Sequence, residues 1–373
     1  MTQPQPGPAR PSGSGVRVAV DAMGGDHGPS EVVPGALDHA RAHPEDRVIL
    51  VGDEAVIRSI GGALPANVSI VHASQVIGMD EHPALALREK KDATITVAID
   101  LVKRGEADAV VTAGHTGAGM AAAVLRLGRL PGVDRPALAV QMITSAGPVV
   151  LLDIGANPDS TPENLVQYAH MGAIFAERVL GVAQPRVALL SIGEEKGKGD
   201  ARIQRATELL DASGLRFEGN VEGKDLTRHL ADVIVCDAVL GNVVIKFFEG
   251  LTSYIADRWR AEFRGSWRGR IAGLLMRPSI ARIRATFDYE RVGGSPLLGV
   301  RGTVIITHGR ARRRMVLYAC DVAATMARNG VPALIAESLG AGAKPSRSTA
   351  APAQPVADDE LAATSAAGRE GVS

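Results

Sequence analysis

Residues 16–30 read VRVAVDAMGGDHGPS: an apolar run, a polar loop with paired glycines and the start of a helix-forming segment. The run at 16–20 largely lacks polar alternation, so it predicts a strand that is covered on both faces. Glycines between a strand and a helix let backbone N–H groups approach an anion. The alternative is a tight turn in which Asp21 or Asp26 only caps the helix.

The same order of strand, loop and helix recurs along most of the chain. Further apolar runs predict strands at 47–52, 68–72, 109–112, 149–153, 186–191, 233–236 and 302–307. Segments with helical periodicity lie between them, at 30–42, 94–104, 119–127, 162–180 and 201–213. This alternation predicts an α/β fold, a mostly parallel sheet flanked by helices. Ligands of such sheets bind beyond the carboxyl ends of the strands.

Polar loops with glycine follow four of these strands as well. They read AGHTGAG at 113–119, IGANP at 154–158, IGEEKGKGD at 192–200 and DAVLGNVVIK at 237–246. None matches the dinucleotide motif GxGxxG or the phosphate-binding loop GxxxxGK[ST]. Because the carboxyl ends of parallel strands lie at the same edge of a sheet, we expect all five loops along one edge.

Composition excludes several classes of function. The 373 residues include 41 basic and 41 acidic ones, so no overall positive field predicts a nucleic-acid partner. Cys236 and Cys320 stand far apart without CxxC spacing, so neither a disulfide framework nor a structural zinc site is expected. Without HxH, HExxH or clustered carboxylate motifs, we expect no metal and no other cofactor.

The folded domain is predicted to span 16–340. Residues 1–15 are rich in proline, glycine and serine, and 341–373 in alanine, proline, serine and threonine, compositions typical of disordered tails. The amino-terminal segment lacks the apolar stretch of a signal peptide, and no run of 18 apolar residues occurs. We therefore expect a cytoplasmic protein without a membrane-spanning helix.

Seven loop sequences, taken together, resemble a known family. They are DAMGGDHGP, TAGHTGAGMAAA, LLDIGANPD, LLSIGEEKGKGD, FEGNVEGKDL, CDAVLGNVVIK and YERVGGSPLLGVRG. In this order they resemble the phosphate acyltransferase family of phospholipid synthesis. The resemblance implies a fold similar to isopropylmalate dehydrogenase and phosphotransacetylase, a homodimer, and acyl transfer from acyl carrier protein to inorganic phosphate. The chain departs from the family pattern at His115, Ala238, Arg310 and Ala311, where asparagine, glycine and two serines are expected.

This reaction needs positioning more than proton transfer. Phosphate is already an anion near neutral pH, and the leaving thiolate comes from a thiol with a pKa of roughly 8.5. An oxyanion donor is typically worth about 3–4 kcal/mol of the barrier. We assign catalytic roles to Lys198 as phosphate ligand, Asn242 as oxyanion donor and His115 as a further donor. The alternatives are a solvated loop lysine, a helix cap and a structural histidine.

The remaining loop residues form the predicted substrate-binding set. It comprises Asp21, Gly24, Gly25, Asp26, Thr116, Gly117, Asn157, Gly193, Glu194, Gly197, Gly199, Lys246 and His308. Because carboxylates repel phosphate, those at 21, 26, 194 and 195 are expected to orient donors. A basic cluster further on is a candidate docking site for the acidic acyl carrier protein, or else a solvated turn; it contains Arg310, Arg312, Arg313 and Arg314.

A basic insertion at 251–284 departs from the α/β pattern. Bulky apolar residues recur every four positions, and Gly265, Gly269 and Gly273 suggest a break between two helices. The excess of arginine and both tryptophans predict peripheral binding to the inner face of the membrane. The proposed membrane tip comprises Trp259, Phe263, Trp267, Leu274 and Leu275. The alternative is a helical hairpin packed at a dimer interface.

Three other functions compete with this prediction. A phosphotransacetylase-like enzyme would use coenzyme A in place of the carrier protein. A metal-dependent decarboxylating dehydrogenase is disfavoured, because the chain lacks a carboxylate cluster and a nucleotide motif. A non-enzymatic protein that only binds phosphate or the carrier protein would not need five polar loops after strands.

Overall fold

The computed structural model describes residues 15–144, 146–286 and 289–340, so the predicted tails lie outside the described residues apart from Gly15. Eleven strands of the described residues form one sheet. They are β1 Arg17–Asp21, β2 Arg47–Gly52, β3 Val68–His72, β4 Ala109–Thr112, β5 Ala137–Thr144, β6 Gly147–Leu152, β7 Arg186–Leu190, β8 Arg216–Val221, β9 Val233–Val235, β10 Ser295–Leu298 and β11 Thr303–Ile306.

Eleven α-helices accompany the strands in the described part of the chain. They are α1 Pro29–Ala42, α2 Glu54–Gly61, α3 Pro83–Glu89, α4 Thr94–Lys103, α5 Thr116–Arg126, α6 Pro162–Leu180, α7 Ala201–Asp211, α8 Ala238–Gly265, α9 Trp267–Thr286, α10 Arg313–Arg328 and α11 Val331–Gly340. Short 3-10 helices lie at Gly223–Asp225 and Tyr289–Val292.

Helices cover both faces of the sheet. Val18 and Val20 of β1 are buried in one cluster with α1, α6 and α10, whereas Ala19 between them is buried in another with α4 and α5. Successive side chains of a strand point to opposite faces, so each face has its own apolar layer. This explains why the strand at 16–20 is apolar with so little alternation.

The sheet is mostly parallel, with the order β3-β2-β1-β4-β11-β10-β5-β6-β9-β7-β8. Seven of its ten neighbouring pairs are parallel. The three antiparallel pairs are β10 with β11, β10 with β5, and β5 with β6. The predicted α/β fold with a mostly parallel sheet is confirmed.

The direction of the strands reverses in the middle of the sheet. Because β10 opposes both neighbours and β6 opposes β5, the strands β6 to β9 point against β1 to β4 and β11. The expectation that all five loops lie along one edge is therefore wrong. The sequence analysis missed β5, β8 and β10. Two of these, β5 and β10, cause the reversal; β10 begins Ser-Pro after two glycines, which is typical of a turn.

The helical insertion is longer than predicted. It consists of α8 and α9, which meet at Ser266, so the break lies close to Gly265 as expected. However, α8 begins directly after β9, at Ala238, and not at 251. Gly273 of α9 lies against the side chain of Phe263 of α8, so the two helices fold back on each other. We call this element the α8–α9 hairpin.

Candidate active site

The loops after β1, β4 and β11 pack against one another at one edge of the sheet. The N–H of Asp26 donates to the carbonyl oxygen of Gly309 at 2.7 Å, which joins the first loop to the last. A Cβ at Gly24 would lie 2.7 Å from the nitrogen of Gly114, so only glycine allows these two backbones to approach. We call these loops the first-half cluster, which comprises residues 21–28, 112–117 and 307–310.

Asp21 is a buried member of the first-half cluster. It is 2% exposed, and the hydroxyl of Thr112 donates to its Oδ2 at 2.7 Å. The same hydroxyl accepts from the N–H of Gly114 at 3.0 Å, so hydrogen bonds connect β1 to the loop after β4. Burial raises the pKa of the Asp21 carboxyl, because water no longer stabilises its charge. These contacts are those of a group that orients the loops.

His115 is the amino-terminal cap of α5. Its Nδ1 accepts from the N–H of Ala118 at 3.4 Å, so the proton of the neutral ring lies on Nε2. Gly117 lies against the His115 ring, where a Cβ would be 3.1 Å from Cε1. Thr116 is exposed at the first position of the helix. His115 therefore has a structural contact on one nitrogen and a donor on the other.

His308 and Lys246 approach each other although 62 positions separate them in sequence. Nε2 of His308 is 3.9 Å from Oε2 of Glu249, and Nζ of Lys246 donates to the same oxygen at 3.0 Å. Burial lowers the pKa of His308, and the positive charge of Lys246 lowers it further. Its Nδ1 accepts from the N–H of Arg310 at 3.1 Å. The fourth turn of α8 thus lies beside the first-half cluster.

A buried carboxylate organises the other edge of the sheet. Asp153, directly after β6, accepts from the N–H groups of Leu138, Gly155, Ala156 and Asn157 at 2.8–3.1 Å. The amide of Asn157 also donates to Asp153 at 2.8 Å. Burial raises the pKa of this carboxyl. The sequence analysis missed Asp153, although an aspartate directly after a buried strand could have indicated it.

The start of α8 packs closely on the loop after β6. A Cβ at Gly241 would lie 2.0 Å from the carbonyl oxygen of Asp153, so the helix touches the chain there. Asp237 caps α8 by accepting from the N–H of Leu240, and Arg202 donates to it at 2.8 Å. Asn242 is exposed in the second turn and is not the cap, so that alternative is wrong.

The loop after β7, residues 191–200, is exposed over most of its middle, at 194–198. Lys198 is exposed and its aliphatic chain lies over Gly193, while its N–H donates to the carbonyl of Glu195 at 2.9 Å. Glu194 pairs with Lys224 at 3.1 Å. A Cβ at Gly197 would meet nothing within 4 Å. We call this segment the β7 loop.

The structure therefore distributes the predicted site over three places. Asp21, Gly24, Gly25 and Asp26 lie in the first-half cluster with His115, Thr116, Gly117 and His308, and Lys246 joins them through Glu249. Asn157 and Asn242 belong to the surroundings of Asp153 at the opposite edge, and Lys198, Gly193, Glu194, Gly197 and Gly199 belong to the β7 loop. Helix α8 connects the first two places.

The proposed membrane tip is only partly at the surface. Trp267, Leu274 and Leu275 are 68%, 68% and 74% exposed, and Trp259 is 47% exposed. Phe263 is half-buried against Gly273 within the α8–α9 hairpin. Among the described helices, α8 is long and apolar enough to cross a membrane by length and composition.

Most of the basic cluster pairs with carboxylates of the chain itself. Arg313 donates to Asp38 at 2.5 and 2.7 Å, Arg312 lies 3.8 Å from Glu31, and Arg314 lies 3.5 Å from Glu290. Arg310 is exposed, and its guanidinium forms no ion pair with the described residues. All four arginines are exposed, so it is the lack of an ion pair among the described residues that distinguishes Arg310.

Comparison with known proteins shows the family of the chain. Residues 16–334 match the family model described as "Fatty acid synthesis protein". The chain is 45% identical over 334 residues to a protein of Heliobacterium modesticaldum named "Phosphate acyltransferase", covering 88% of this chain and 99% of that protein. A protein of Myxococcus xanthus with the same name is 44% identical over 334 residues, covering 88% of this chain and 95% of that protein.

Solved structures share the fold at low identity. A phosphotransacetylase from Streptococcus pyogenes matches with a TM-score of 0.57 and 17% identity, covering 84% of this chain and 94% of that one. A 4-hydroxythreonine-4-phosphate dehydrogenase from Klebsiella pneumoniae matches with a TM-score of 0.50 and 14% identity, covering 85% and 99%. The fold similar to phosphotransacetylases and dehydrogenases, expected from the sequence, is confirmed.

Proposed function

Because the chain belongs to the phosphate acyltransferase family, and is thus an acyltransferase, we propose that it transfers a fatty acyl group from acyl carrier protein to inorganic phosphate. The product is an acyl phosphate for phospholipid synthesis. Residues 16–340 would form the acyltransferase domain, from which the α8–α9 hairpin extends. The main support for this site is that Lys246 and His308 both lie near Oε2 of Glu249, beside the closely packed glycine loops.

The cationic edge of the first-half cluster fits a phosphate substrate. Lys246 supplies a positive charge that Glu249 partly neutralises at 3.0 Å, and Nε2 of His308 and of His115 can each donate a hydrogen bond. We keep Lys198 as a second phosphate ligand and Asn242 as the amide donor to the oxyanion. For these residues to act on one substrate, the β7 loop and α8 must both face the thioester.

The chemistry needs no covalent enzyme intermediate. A phosphate oxygen attacks the thioester carbonyl carbon, and the carbonyl oxygen becomes the oxyanion of a tetrahedral intermediate. The C–S bond then breaks, and the electron pair leaves with the carrier-protein sulfur. The resulting thiolate is protonated, by way of solvent, by the proton that hydrogen phosphate loses as it becomes the acyl phosphate. Fixed donors at the oxyanion lower the barrier by about 3–4 kcal/mol each, since they need no reorganisation during the reaction.

The choice of acyl donor is tested by steady-state kinetics. Purified full-length chain is supplied with phosphate and either a long-chain acyl carrier protein or the same acyl group on coenzyme A, and release of free thiol is measured. We expect phosphate-dependent release with kcat/KM at least tenfold higher for the carrier protein. Higher activity with coenzyme A would establish the phosphotransacetylase-like alternative. If neither donor gives phosphate-dependent release of free thiol, the non-enzymatic alternative, a protein that only binds phosphate or the carrier protein, would be supported.

Arg310 is the proposed contact for the carrier protein. Its neighbours Arg312, Arg313 and Arg314 lie near Glu31, Asp38 and Glu290, so their charge is partly neutralised within the chain. Arg310 itself lies at the first-half cluster, where its backbone N–H donates to Nδ1 of His308 at 3.1 Å. An acidic partner docked there would place its thioester near the phosphate. Such contacts at the rim of an interface mainly raise the association rate.

The α8–α9 hairpin is the proposed membrane contact of a cytoplasmic, homodimeric enzyme bound to the inner face. Although α8 could span a bilayer by composition, Val244 and Ile245 pack on the core and Gly241 touches Asp153, so its first turns are held by the sheet. Exposed apolar residues of the tip, next to arginines, suit the headgroup region instead. Apolar residues near the base, Val239, Val243 and Phe247, are exposed as well and are the proposed dimer surface.

Both surfaces are tested with matched substitutions. Sedimentation with anionic liposomes compares the wild type with Trp267→Glu, Leu274→Glu and a control in α5, Leu125→Glu, which is 70% exposed outside the hairpin. We expect the two tip variants, but not the control, to stay in the supernatant. If the tip variants pellet like wild type while folded, the tip does not bind the membrane. Phe247→Glu is expected to shift sedimentation velocity from dimer to monomer, and an unchanged dimer would exclude the base as interface.

A further inference from the structure

Two histidines and an aspartate converge where α1 ends beside α10. Nδ1 of the buried His39 is 2.6 Å from Oδ1 of Asp321, and Nε2 of His43 is 3.3 Å from the same oxygen. The two imidazoles come from the last turn of α1 and from its C-cap residue, and their ring centroids are 4.8 Å apart. All three ligand atoms lie within 4.8 Å of one another. Two imidazole nitrogens and a carboxylate oxygen are therefore close enough together to contact one ion.

The second nitrogen of each histidine faces a different carboxylate. Nε2 of His39 lies 3.6 Å from Oδ2 of Asp46, and Nδ1 of His43 lies 3.5 Å from Oε1 of Glu45. Asp46 is fully buried and is held by the Val16 N–H at 2.8 Å and by Arg328 at 2.8 and 3.0 Å. Histidines that ligate metals almost always present their other nitrogen to such a carboxylate or carbonyl partner.

We propose that His39, His43 and Asp321 form a binding site for a divalent transition-metal ion of the zinc class. Ligand bonds of about 2.0–2.1 Å in a tetrahedron put neighbouring ligand atoms about 3.3 Å apart. The separation of His43 and Asp321 already has this value, and the contact of His39 with Asp321 must open by roughly 0.7 Å. A water molecule completes the tetrahedron on the side of His43, which is 39% exposed.

Protons can be balanced without a further group. In the metal-free protein the neutral His39 ring can donate Nδ1–H to Asp321. When the metal binds Nδ1, the ring proton resides on Nε2 and faces Asp46. The proton of His43 resides on Nδ1 and faces Glu45. Imidazole with a carboxylate favours Zn²⁺, Co²⁺ or Ni²⁺ over Mg²⁺, which prefers oxygen ligands.

The site would link two helices far from the candidate active site. His39 and His43 lie at the carboxyl end of α1, next to the start of β2, whereas the first-half cluster lies at the opposite ends of the strands. The helices are already close, because a Cβ at Gly35 would lie 2.4 Å from the carbonyl of Arg313. A metal ion there would cross-link α1 and α10, stabilising the fold without contacting substrates.

Metal binding is tested on the full-length, tag-free chain after treatment with a chelator. Titration calorimetry with Zn²⁺ and visible absorption with Co²⁺ measure stoichiometry and geometry, and Mg²⁺ is the negative control. We expect one ion per chain, a tetrahedral Co²⁺ spectrum and a higher Tm with Zn²⁺. His43→Gln and Asp321→Asn should lower the affinity more than 100-fold, and Glu45→Gln, which removes only an orienting carboxylate, about tenfold. His72→Gln, an exposed histidine on β3, is the matched control and should bind like wild type.

The outcomes separate this proposal from the proposed function. The proposed site would be overturned if Zn²⁺ still binds to both His43→Gln and Asp321→Asn, or if His72→Gln loses as much affinity as they do. Binding by the wild type only at millimolar Zn²⁺ would overturn it as well. Acyl transfer is expected to stay within about twofold between metal-free and loaded protein at a temperature where both are folded. If the chain shows no acyl transfer, the proposed function is wrong, but the metal-binding measurements still test the metal site.

Discussion

The first-half cluster and the β7 loop both combine glycines with charged residues, but they differ in the packing around one glycine, Gly24 in the first and Gly197 in the second. Both follow buried strands and both contain closely spaced glycines, at 24 and 25 in one and at 193, 197 and 199 in the other. In the first-half cluster, Gly24 packs against Gly114 and leaves no space for a side chain. In the β7 loop, Gly197 has open space around it and Lys198 is exposed. The number of glycines therefore does not reveal whether a loop is packed.

This difference separates two ways in which a loop can bind an anion. A packed loop presents N–H groups whose positions are fixed before the substrate arrives, which reduces the entropy lost on binding. An open loop with a lysine supplies charge but must become ordered around the ligand. The next four predictions test how far each loop matters, from the largest expected effect to the smallest.

The largest effect is expected from filling the packed loop. In Gly24→Ala the new Cβ would lie 2.7 Å from the Gly114 nitrogen and 2.9 Å from Oδ2 of Asp21, so the loops must move apart. We expect a loss of about 1–3 kcal/mol in unfolding free energy and about 100-fold in kcat. Denaturant unfolding and thiol-release assays measure both. The matched variant Gly197→Ala, with nothing within 4 Å, should change stability by less than about 0.5 kcal/mol. Equal effects of the two variants would contradict the comparison.

The second prediction asks which loop holds phosphate. Lys198→Ala is expected to raise the KM for phosphate roughly tenfold or more, since a charge-assisted hydrogen bond is worth about 1.5–3 kcal/mol. Lys246→Ala should act in the same direction, and Lys196→Ala, whose lysine pairs with Asp211 at 2.7 Å, should not. If Lys246→Ala alone raises KM, phosphate binds at the first-half cluster and the role of Lys198 is wrong.

The third prediction concerns carrier-protein docking beside the first-half cluster. Arg310→Glu should lower kcat/KM for the acylated carrier protein about fivefold at low salt, with KM for phosphate unchanged. The loss should shrink as salt is added, because screening weakens attraction between exposed charges. Arg205→Glu, an exposed arginine on α7, is the control. A fall in phosphate affinity of the same size would argue against docking.

The smallest effect is a change in the titration of His308. Burial and Lys246 both lower its pKa from the ordinary value of 6.5. Removing the cation in Lys246→Met should therefore raise the pKa of His308, as followed by NMR of its ring proton. Because the folded-state pKa is lowered, the unfolded chain protonates first, and the wild type should lose stability as pH falls from 6.5 toward the folded value. An unchanged or lower pKa in the variant would show that the two residues do not interact.

The two halves of the sheet differ in how well they could be predicted. Strands at 47–52, 68–72 and 109–112 match β2, β3 and β4 residue for residue. For β4 the reason is that a parallel strand buried on both faces is apolar, whereas the edge strand β3 is only partly buried and was found from its valines and isoleucine. The missed β5 has Gln141 in its middle, and the missed β10 is four residues long after a glycine pair. Their assignment as strands comes from partners distant in sequence. Helix α6 has the bounds predicted from its periodicity, and the structure shows Thr161 as its N-cap, Pro162 at its first position and Gly181 as its C-cap.

The candidate site shows the same division. Glycine loops and their charged residues were visible in sequence, but Asp153 was not identified, since its role depends on N–H groups from β5 and from its own loop. Glu249 was likewise missed, although it lies three positions after Lys246. Sequence could suggest His115 as a donor, but its use of Nδ1 as the cap of α5 required the observed contact.

The sequence by itself determined the α/β class, the strands that are buried on both faces, the loops with glycine and charge, and the family. These are local properties, since each depends on side-chain periodicity or on residues within one loop. Only the tertiary structure decided the reversal at β10 and β5, the separation of the loops onto two edges, and the path of α8 from Asp237 to Lys246 and His308. These features depend on strand pairing between residues that are far apart in the chain. Backbone hydrogen bonds alone would be satisfied in several strand orders, and packing of the apolar faces selects one of them.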